Sequence, residues 1–559
     1  MKSYYFLILL VLFAFSQKGF GQNISADLKP NIVLILVDDS GLMDFGAYGG
    51  EAQTPTIDSL THNGLMFTNM HASPVCAPSR AMLMTGTDSH LNGVANLPEM
   101  LPKKYQEIEG YEGVLSENVQ TIATRLKEVN YNSYVAGKWH LGHDEKTLPN
   151  KRGFDRSFIL GGSGADNFNG SGYLPFKSEV TWFEDGKQTE LPKDFYSSAY
   201  FVDQLIRFHD EEENKEEPFF TFLSFLAVHA PVQAPQEYVE KYTKMYEAGW
   251  DELRLKRFKT AKELGILPKE AEMNPTFDKM KKWDELSEKE QEEKITDIAM
   301  MAAMLEAMDH HIGRYIQYLK NNGMADNTIF IVTSDNGPDG GDYAGIMVWA
   351  KRQGYERNLE KVQGNRYYGF IGPEYASAIA APFSFYKYYT GEGGLRVPYV
   401  MSGAGIPTNK RDDSFCFFTD IAPTIYDIAG ISTTANEGFV PVTGKSMLPH
   451  IQDPSIPIYK EDEGVPMEVA ANSAYFMGDY KIVKNNIPLG DNSWKMYNLK
   501  TDPAETKDIS TIEPYLFQSM LSRYERYEKE VGVVKMPEGY NAEGEVGKKS
   551  MKAIVNPFK

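Results

Sequence analysis

Four short apolar runs along the chain each stop abruptly at polar residues, and helical periodicity fills the intervals between them. Asn31–Val37 (NIVLILV) is unbroken Ile/Val/Leu bounded by Pro30 and Asp38-Asp39, the pattern of a strand buried on both faces of a mostly parallel sheet. Thr328–Thr333 (TIFIVT) leads into Asp335-Asn336-Gly337, Phe219–Val228 (FFTFLSFLAV) into His229-Ala230-Pro231, and Asn132–Ala136 (NSYVA) into Gly137-Lys138-Trp139-His140. Between them, Ser116–Val129 and Ile295–Lys320 read as helices; in the second, Leu305, Met308, Ile312, Ile316 and Leu319 recur at three- and four-residue spacing. Strands alternating with helices predict an α/β domain, a central mostly parallel sheet sandwiched by helices. Ligands of such sheets gather at the carboxyl edge of the strands, which is where all four runs place their polar residues.

The texture changes after Gly444. Alternating stretches at Ala474–Val483 and Trp494–Leu499, then a helix over Pro514–Val531, predict a smaller C-terminal α+β domain carrying an antiparallel sheet. The organisation expected is a main catalytic domain over 22–444 and a smaller one over 445–559, the tail after Gly532 forming an irregular arm. Within the main domain, residues 251–294 are rich in Lys and Glu with little apolar periodicity, and read as a solvated helical insertion without chemistry.

Length and composition narrow the function. At 559 residues with 42% hydrophobic positions, the chain exceeds what one core usually organises and need not be disordered. Its formal net charge of −20 repels nucleic-acid backbones and anionic membranes, so an anionic substrate has to be drawn in by a local positive site. Lys2 followed by the apolar run Tyr4–Phe15 and the small-residue pattern Gly19-Phe20-Gly21 marks 1–21 as a cleaved secretory signal, and hence a periplasmic or secreted protein. The run is too short for a membrane span. With Cys76 and Cys416 as the only cysteines, at most one disulfide is available to an exported chain.

Asp38 and Asp39 at one strand end, with Asp335 and Asn336 at another, offer hard oxygen ligands that suit Ca²⁺ or Mg²⁺ and, lacking His and Cys, suit Zn²⁺ poorly. The most specific segment is Cys76-Ala77-Pro78-Ser79-Arg80-Ala81-Met82-Leu83-Met84-Thr85-Gly86. Pro78 is expected to start a helix with Cys76 just before it, so that residue 76 faces a positive helix N-terminus, an anion site. Arg80, one turn on, can lean back toward it.

CAPSRAMLMTG resembles the signature of the type I sulfatases, members of the alkaline phosphatase superfamily, in which the cysteine is oxidised to Cα-formylglycine (3-oxoalanine). Further matches follow in order: NIVLILVDD, GKWHLG, HAP, SDNG, EGGLRVP and WKMYNLKTDPAET. The resemblance implies one cation, Ca²⁺ ahead of Mg²⁺, held by Asp38, Asp39, Asp335 and Asn336 and completed by the residue 76 side chain. It implies that Lys138 and His140 contact the formylglycine, that Arg80 bridges it to the metal, and that His229 and Lys387 grip the sulfate and the leaving oxygen. It also implies a maturation partner, a formylglycine-generating or anaerobic sulfatase-maturating enzyme.

The chemistry implied is hydrolysis of a sulfate monoester. One hydroxyl of the hydrated formylglycine attacks sulfur, His229 aided by Lys387 protonates the departing oxygen, and His140 takes the proton of the second hydroxyl as sulfate is eliminated and the aldehyde returns. Two alternatives are a phosphate or phosphonate ester hydrolase of the same superfamily, and a sulfated-glycan binder in which Cys76 stays a thiol. The substrate expected is a sulfated carbohydrate or an aryl sulfate, and export points to an environmental polysaccharide or oligosaccharide rather than a metabolite. Gly161–Tyr173, with Asn167, Asn169 and Tyr173, and Ala344–Ser377 are expected to wall the pocket.

Overall fold

The structure, a computed structural model, describes residues 29–358 and 365–555. The signal reading of 1–21 lies outside the described residues. Among the described residues fifteen strands are seen: β1 (Asn31–Val37), β2 (Gly64–His71), β3 (Asn132–Lys138), β4 (Arg156–Leu160), β5 (Trp182–Glu184), β6 (Lys187–Thr189), β7 (Phe219–Ser224), β8 (Thr328–Ser334), β9 (Arg396–Gly403), β10 (Lys410–Asp412), β11 (Cys416–Phe417), β12 (Gly464–Val469), β13 (Asn472–Met477), β14 (Tyr480–Lys484) and β15 (Trp494–Asn498). The first eleven form one sheet in the order β10-β2-β9-β8-β1-β7-β3-β4-β5-β6, with β11 also on β2. Its centre, β8-β1-β7-β3-β4, is parallel throughout; β9 runs antiparallel between β8 and β2.

All seven residues of β1 are buried, and its alternation divides the core. Val33, Ile35 and Val37 pack into a cluster with Met304, Met308 and Ile312 of the helix Glu288–Asn321 and with Phe201 and Leu205 of the helix Ser197–Glu211. Ile32, Leu34 and Leu36 pack on the other side with Ala81 and Met82 of the helix Cys76–Thr85, Ile122, and Ile425 of the helix Ile421–Ile428. The period-two pattern of a doubly buried strand thus becomes a sheet between two helical layers, as the apolar runs predict. β12–β15 form a separate antiparallel four-stranded meander. Ala474 and Phe476 of β13 join the main core, while Tyr475 between them packs with Met520, Tyr524 and Tyr527 of the helix Pro514–Val531. The 444/445 boundary falls between the helix Ile421–Ile428 and β12.

Several elements depart from the sequence reading. The helix expected over 116–129 starts late, at Ile122, because Thr121 caps it by accepting from Thr124 N at 3.1 Å, and after Leu126 it continues as a 3-10 turn to Val129. β7 ends at Ser224, after which Phe225–His229 crosses the sheet edge, Val228 N donating to Asp38 O at 2.6 Å. Residues 251–294 are not one solvated helical insertion. A helix covers Gly249–Glu263, and its face carries Trp250, Leu253 and Arg257 into the interior, where Arg257 ion-pairs with Asp44 (2.6 Å) and Glu51 (2.7 Å); burial of paired charge is invisible to a hydrophobic periodicity count. The tail is not an irregular arm, since Ala542–Val555 is a helix. Cys76 and Cys416 are both free and buried.

The small sheet is tied to the segment after the helix Cys76–Thr85 by a buried charged histidine. His90 lies 2.9 Å from Glu468 of β12 and 3.3 Å from Asp88, whose other oxygen accepts from Tyr527 at 3.0 Å. Burial alone pulls the imidazole pKa down, but the two carboxylates outweigh it and hold it up at about 9. A folded-state pKa above the unfolded value of about 6.5 means stabilisation that is full below pH 6.5 and lost as pH rises through 9. The expected loss between pH 6 and pH 10 is roughly 3 kcal/mol, and urea midpoints at the two pH values in wild type and His90→Asn measure it. An equal pH dependence in the variant refutes the assignment.

Candidate active site

Because β8, β1, β7 and β3 are parallel neighbours, their carboxyl ends open on one edge. Asp38-Asp39 follow β1, the chain turning at Asp39 with φ of 64°. Asp335-Asn336 follow β8, Lys138 ends β3, and His140 comes two residues later. Gly137 is required here: a Cβ on it would lie 1.7 Å from Ser224 O of β7, and its φ is 117°. Cys76 opens the helix Cys76–Thr85, which begins two residues earlier than Pro78, and Arg80 sits one turn in. Lys387 arrives from the loop before the helical turn Glu392–Leu395. That loop is pinned rather than patterned, Lys387 N donating to Pro338 O (3.1 Å) and Tyr388 N to Pro74 O (2.8 Å).

The predicted residues are brought together. Lys138 Nζ donates to Asp38 Oδ2 at 2.6 Å, and Lys387 Nζ lies 2.7 Å from Asp39. Arg80 Nε and Nη2 approach Asp335 Oδ2 at 2.9 and 2.7 Å, and Nη2 lies 3.6 Å from Asp38. Asn336 Nδ2 donates to Asp39 Oδ1 at 2.7 Å, and Asp39 N donates to Asp335 Oδ1 at 3.1 Å. His229 Nε2 lies 3.8 Å from Asp39, while its Nδ1 meets Ala230 O at 2.6 Å. Cys76 Sγ and oxygens of Asp38 and Asp335 all fall within 4.8 Å of one another.

Three carboxylates therefore face three cations in a buried cluster. Two oxygens in it, Asp38 Oδ1 and Asn336 Oδ1, are buried with no hydrogen-bond partner among the described residues, a costly arrangement unless something else binds them. A hard dication fits: the donor set is carboxylate and amide oxygen, and its charge would leave the centre net positive for an anionic ester.

Electrostatics assign protonation states. Burial pushes the Cys76 thiol up to about 11, against the pull of Lys138 and Lys387. Burial also raises Asp39, but Lys387 and His229 outweigh it and hold this carboxyl well below the usual range. His229 is driven well below its ordinary value by burial, with Lys387 and Lys138 adding to that against Asp39. Burial, then Lys138 and Lys177, drive His140 down likewise, and its Nδ1 is buried without a partner among the described residues. Both rings are thus neutral.

The loop Gly161–Tyr173 does reach the site. The Tyr173 ring meets the His229 ring edge-on at 5.2 Å, and Gly164 makes room, since a Cβ there would lie 3.0 Å from Tyr173 and 3.2 Å from His229. Asn167, in contrast, is buried and committed to protein partners, its backbone N–H donating to Gln233 and its Oδ1 accepting from Ser197, whereas Asn169 is exposed, with its Oδ1 accepting from Ser171 N. Of Ala344–Ser377, Phe370 and Ile371 border a small cavity beside Asp39 and Asp339.

Sequence reasoning missed three groups. Ser224 Oγ accepts from Arg80 Nη1 at 2.6 Å. Asp339, 3.9 Å from Lys387, accepts from Tyr343 at 3.0 Å; its place four residues after Asp335 in SDNGPD was the available signal. Lys177, beside Ser163 (3.0 Å) and Glu99 (2.5 Å), adds positive potential at His140 and carries no signal in its flanking sequence.

A mostly parallel sheet between helices, with acidic strand ends around a helix-opening cysteine, defines a hydrolase of the alkaline phosphatase fold. The Sulfatase family model matches residues 30–431, and the chain belongs to that family; it is a sulfuric ester hydrolase. It is 33% identical over 543 residues to an uncharacterized sulfatase of Schizosaccharomyces pombe, covering 92% of this chain and 96% of that protein. It is 31% identical over 441 residues to the arylsulfatase of Klebsiella aerogenes, covering 76% and 93%. Among solved structures, Ps i-CgsB in complex with k-i-k-neocarrahexaose superposes with a TM-score of 0.64 at 24% identity, covering 95% of this chain and 100% of that one.

Proposed function

We propose that the chain is an exported, dication-dependent sulfatase that removes sulfate from a sulfated polysaccharide or oligosaccharide, with residue 76 as nucleophile after oxidation of Cys76 to formylglycine. The observation that carries this reading is the convergence of Cys76 Sγ with Asp38 and Asp335 inside 4.8 Å, ringed by Arg80, Lys138 and Lys387. A maturating enzyme has to act before Cys76 is enclosed, because in the fold it is 2% exposed. Among the described residues no helix is long and apolar enough to cross a membrane.

Asp38, Asp39, Asp335 and Asn336 would hold the cation, Ca²⁺ by preference, with residue 76 beside it. Such a dication, with a formylglycine diol, would supply an acidified hydroxyl nucleophile and charge neutralisation. Lys138, Lys387 and Arg80 are placed to balance the sulfonyl oxygens, and each is buried, so their charge acts unscreened. His229 is oriented by its Nδ1 contact with Ala230 O, leaving Nε2 toward the site. An anionic ester on Lys387 supplies the counter-charge that lets Nε2 carry a proton to the departing oxygen. Neutral His140 is suited to the opposite task, accepting a proton in the step that frees sulfate.

The test pairs chemistry with mass. Protein co-produced with a maturating enzyme is expected to hydrolyse 4-nitrophenyl sulfate at least about 100-fold faster than 4-nitrophenyl phosphate, and the peptide containing residue 76 to carry an aldehyde. Preference for the phosphate refutes the sulfatase reading; a retained thiol in active protein refutes the nucleophile.

A further inference from the structure

Beside the catalytic residues lies a cleft of about 790 Å³ between the loop 175–179, the helix Met347–Arg352 and the C-terminal helix Ala542–Val555. Phe176 and Trp349 line it, together with Arg352, Lys549 and Lys552; Glu179 is the acidic residue on its wall. Three cations against one carboxylate is unusual in a chain of net charge −20. Arg352 and Lys552 make no hydrogen bond or ion pair among the described residues, so their charge is free for a ligand. Lys549 is fixed, its Nζ donating to the carbonyls of Pro98, Glu99 and Leu101 at 3.0, 2.7 and 3.3 Å, and the Glu99 and Glu545 carboxylates also act on its charge.

The cleft adjoins the catalytic centre through one short segment. Tyr173 packs on His229, Lys177 lends its charge to His140's surroundings, and Phe176 between them lines the cleft. Phe176 and Trp349 belong to the same apolar cluster as Tyr173. Aromatic faces attract the polarised C–H groups of a sugar ring, while guanidinium and ammonium groups bind anionic esters, Arg in bidentate fashion.

We infer that this cleft is a distal binding site for a second anionic sugar unit, so that the substrate is an oligosaccharide sulfated on more than one residue: one sulfate enters the catalytic centre while a neighbouring sulfated sugar lies on Phe176 and Trp349, its sulfate read by Arg352 and Lys552. This rests on the proposed function for the identity of the centre, and the cleft itself is independent of that chemistry. Both basic residues are exposed on helix surfaces, so Arg352→Glu with Lys552→Glu leaves the core untouched.

The experiment measures binding of k-i-k-neocarrahexaose and a heparin hexasaccharide by calorimetry in the full chain carrying Cys76→Ala, with and without the two charge reversals, and turnover of 4-nitrophenyl sulfate in matured protein. The reversals are expected to weaken binding of at least one oligosaccharide by about tenfold or more and to flatten its salt dependence, with 4-nitrophenyl sulfate turnover within about twofold of wild type. Unchanged binding, no binding of either probe at low salt, or equal competition by polyglutamate overturns the inference. Cleft-dependent binding without any turnover of the aryl sulfate upholds the cleft and refutes the proposed function instead.

Discussion

Replacing Cys76 with alanine is expected to lower sulfate release by at least about 10⁴-fold, the scale on which removal of a covalent nucleophile acts, while leaving the fold standing. The side chain is small and 2% exposed, so losing its sulfur costs about 1 kcal/mol, the order of one buried CH₂. The centre's other contacts, Lys138 on Asp38, Arg80 on Asp335 and Lys387 on Asp39, do not pass through Sγ. Its thiol form is no substitute nucleophile. With no cation beside it, burial raises it to about 11, which keeps the apo thiol protonated at neutral pH, and only a thiolate attacks. Two further results follow. Wild-type rate has to scale with the aldehyde-bearing fraction of the residue 76 peptide and extrapolate to zero at full thiol. The alanine variant has to melt within a few degrees of wild type by circular dichroism. Residual activity above about 1% of wild type would show that the thiol position is only structural.

How far the sequence foretold this centre depends on what each residue's neighbours reveal. Asp38, Asp335 and Lys138 were legible because each terminates an apolar run that has to be a buried strand, and parallel strands end on one edge. The two core clusters on either side of β1 follow from the same alternation. Lys387 was legible only through its distance from Glu392-Gly393-Gly394, since its loop is held by backbone bonds to Pro338 and Pro74, contacts from segments more than 45 residues away in sequence or beyond. Asp339 was signalled only by its place in SDNGPD, and Lys177 acts through tertiary proximity alone. The misreading of 251–294 has a single cause: Arg257 is buried because Asp44 and Glu51 neutralise it, and pairing over such separations leaves no local pattern. The C-terminal helix was missed for a similar reason, its few buried residues, Ala542 and Ser550, being small, although it supplies the basic wall of the distal cleft.

Substituting Asp335 with asparagine is expected to break both the centre's internal charge balance and its cation set. Asp335 Oδ2 faces two guanidinium nitrogens of Arg80 and Oδ1 accepts from Asp39 N; an amide can present only one acceptor oxygen, so its NH₂ must meet a donor. Arg80 is 1% exposed and would keep Asp38 at 3.6 Å as its nearest carboxylate. Uncompensating a buried charge in this way costs about 3–5 kcal/mol. The same change removes one of three carboxylates from the proposed cation site. If Ca²⁺ occupies that proposed site in wild type, a concentration about 100 times its dissociation constant is expected to stabilise the fold by about 2.7 kcal/mol, and chelation to reverse it. Asp335→Asn is expected to melt below wild type even in chelator, to gain nothing from added Ca²⁺, and to release no measurable sulfate at any Ca²⁺ concentration. The two effects separate in thermal melts with and without Ca²⁺: a variant that is destabilised yet keeps the full Ca²⁺ increment would assign Asp335 to Arg80 alone and place the cation elsewhere.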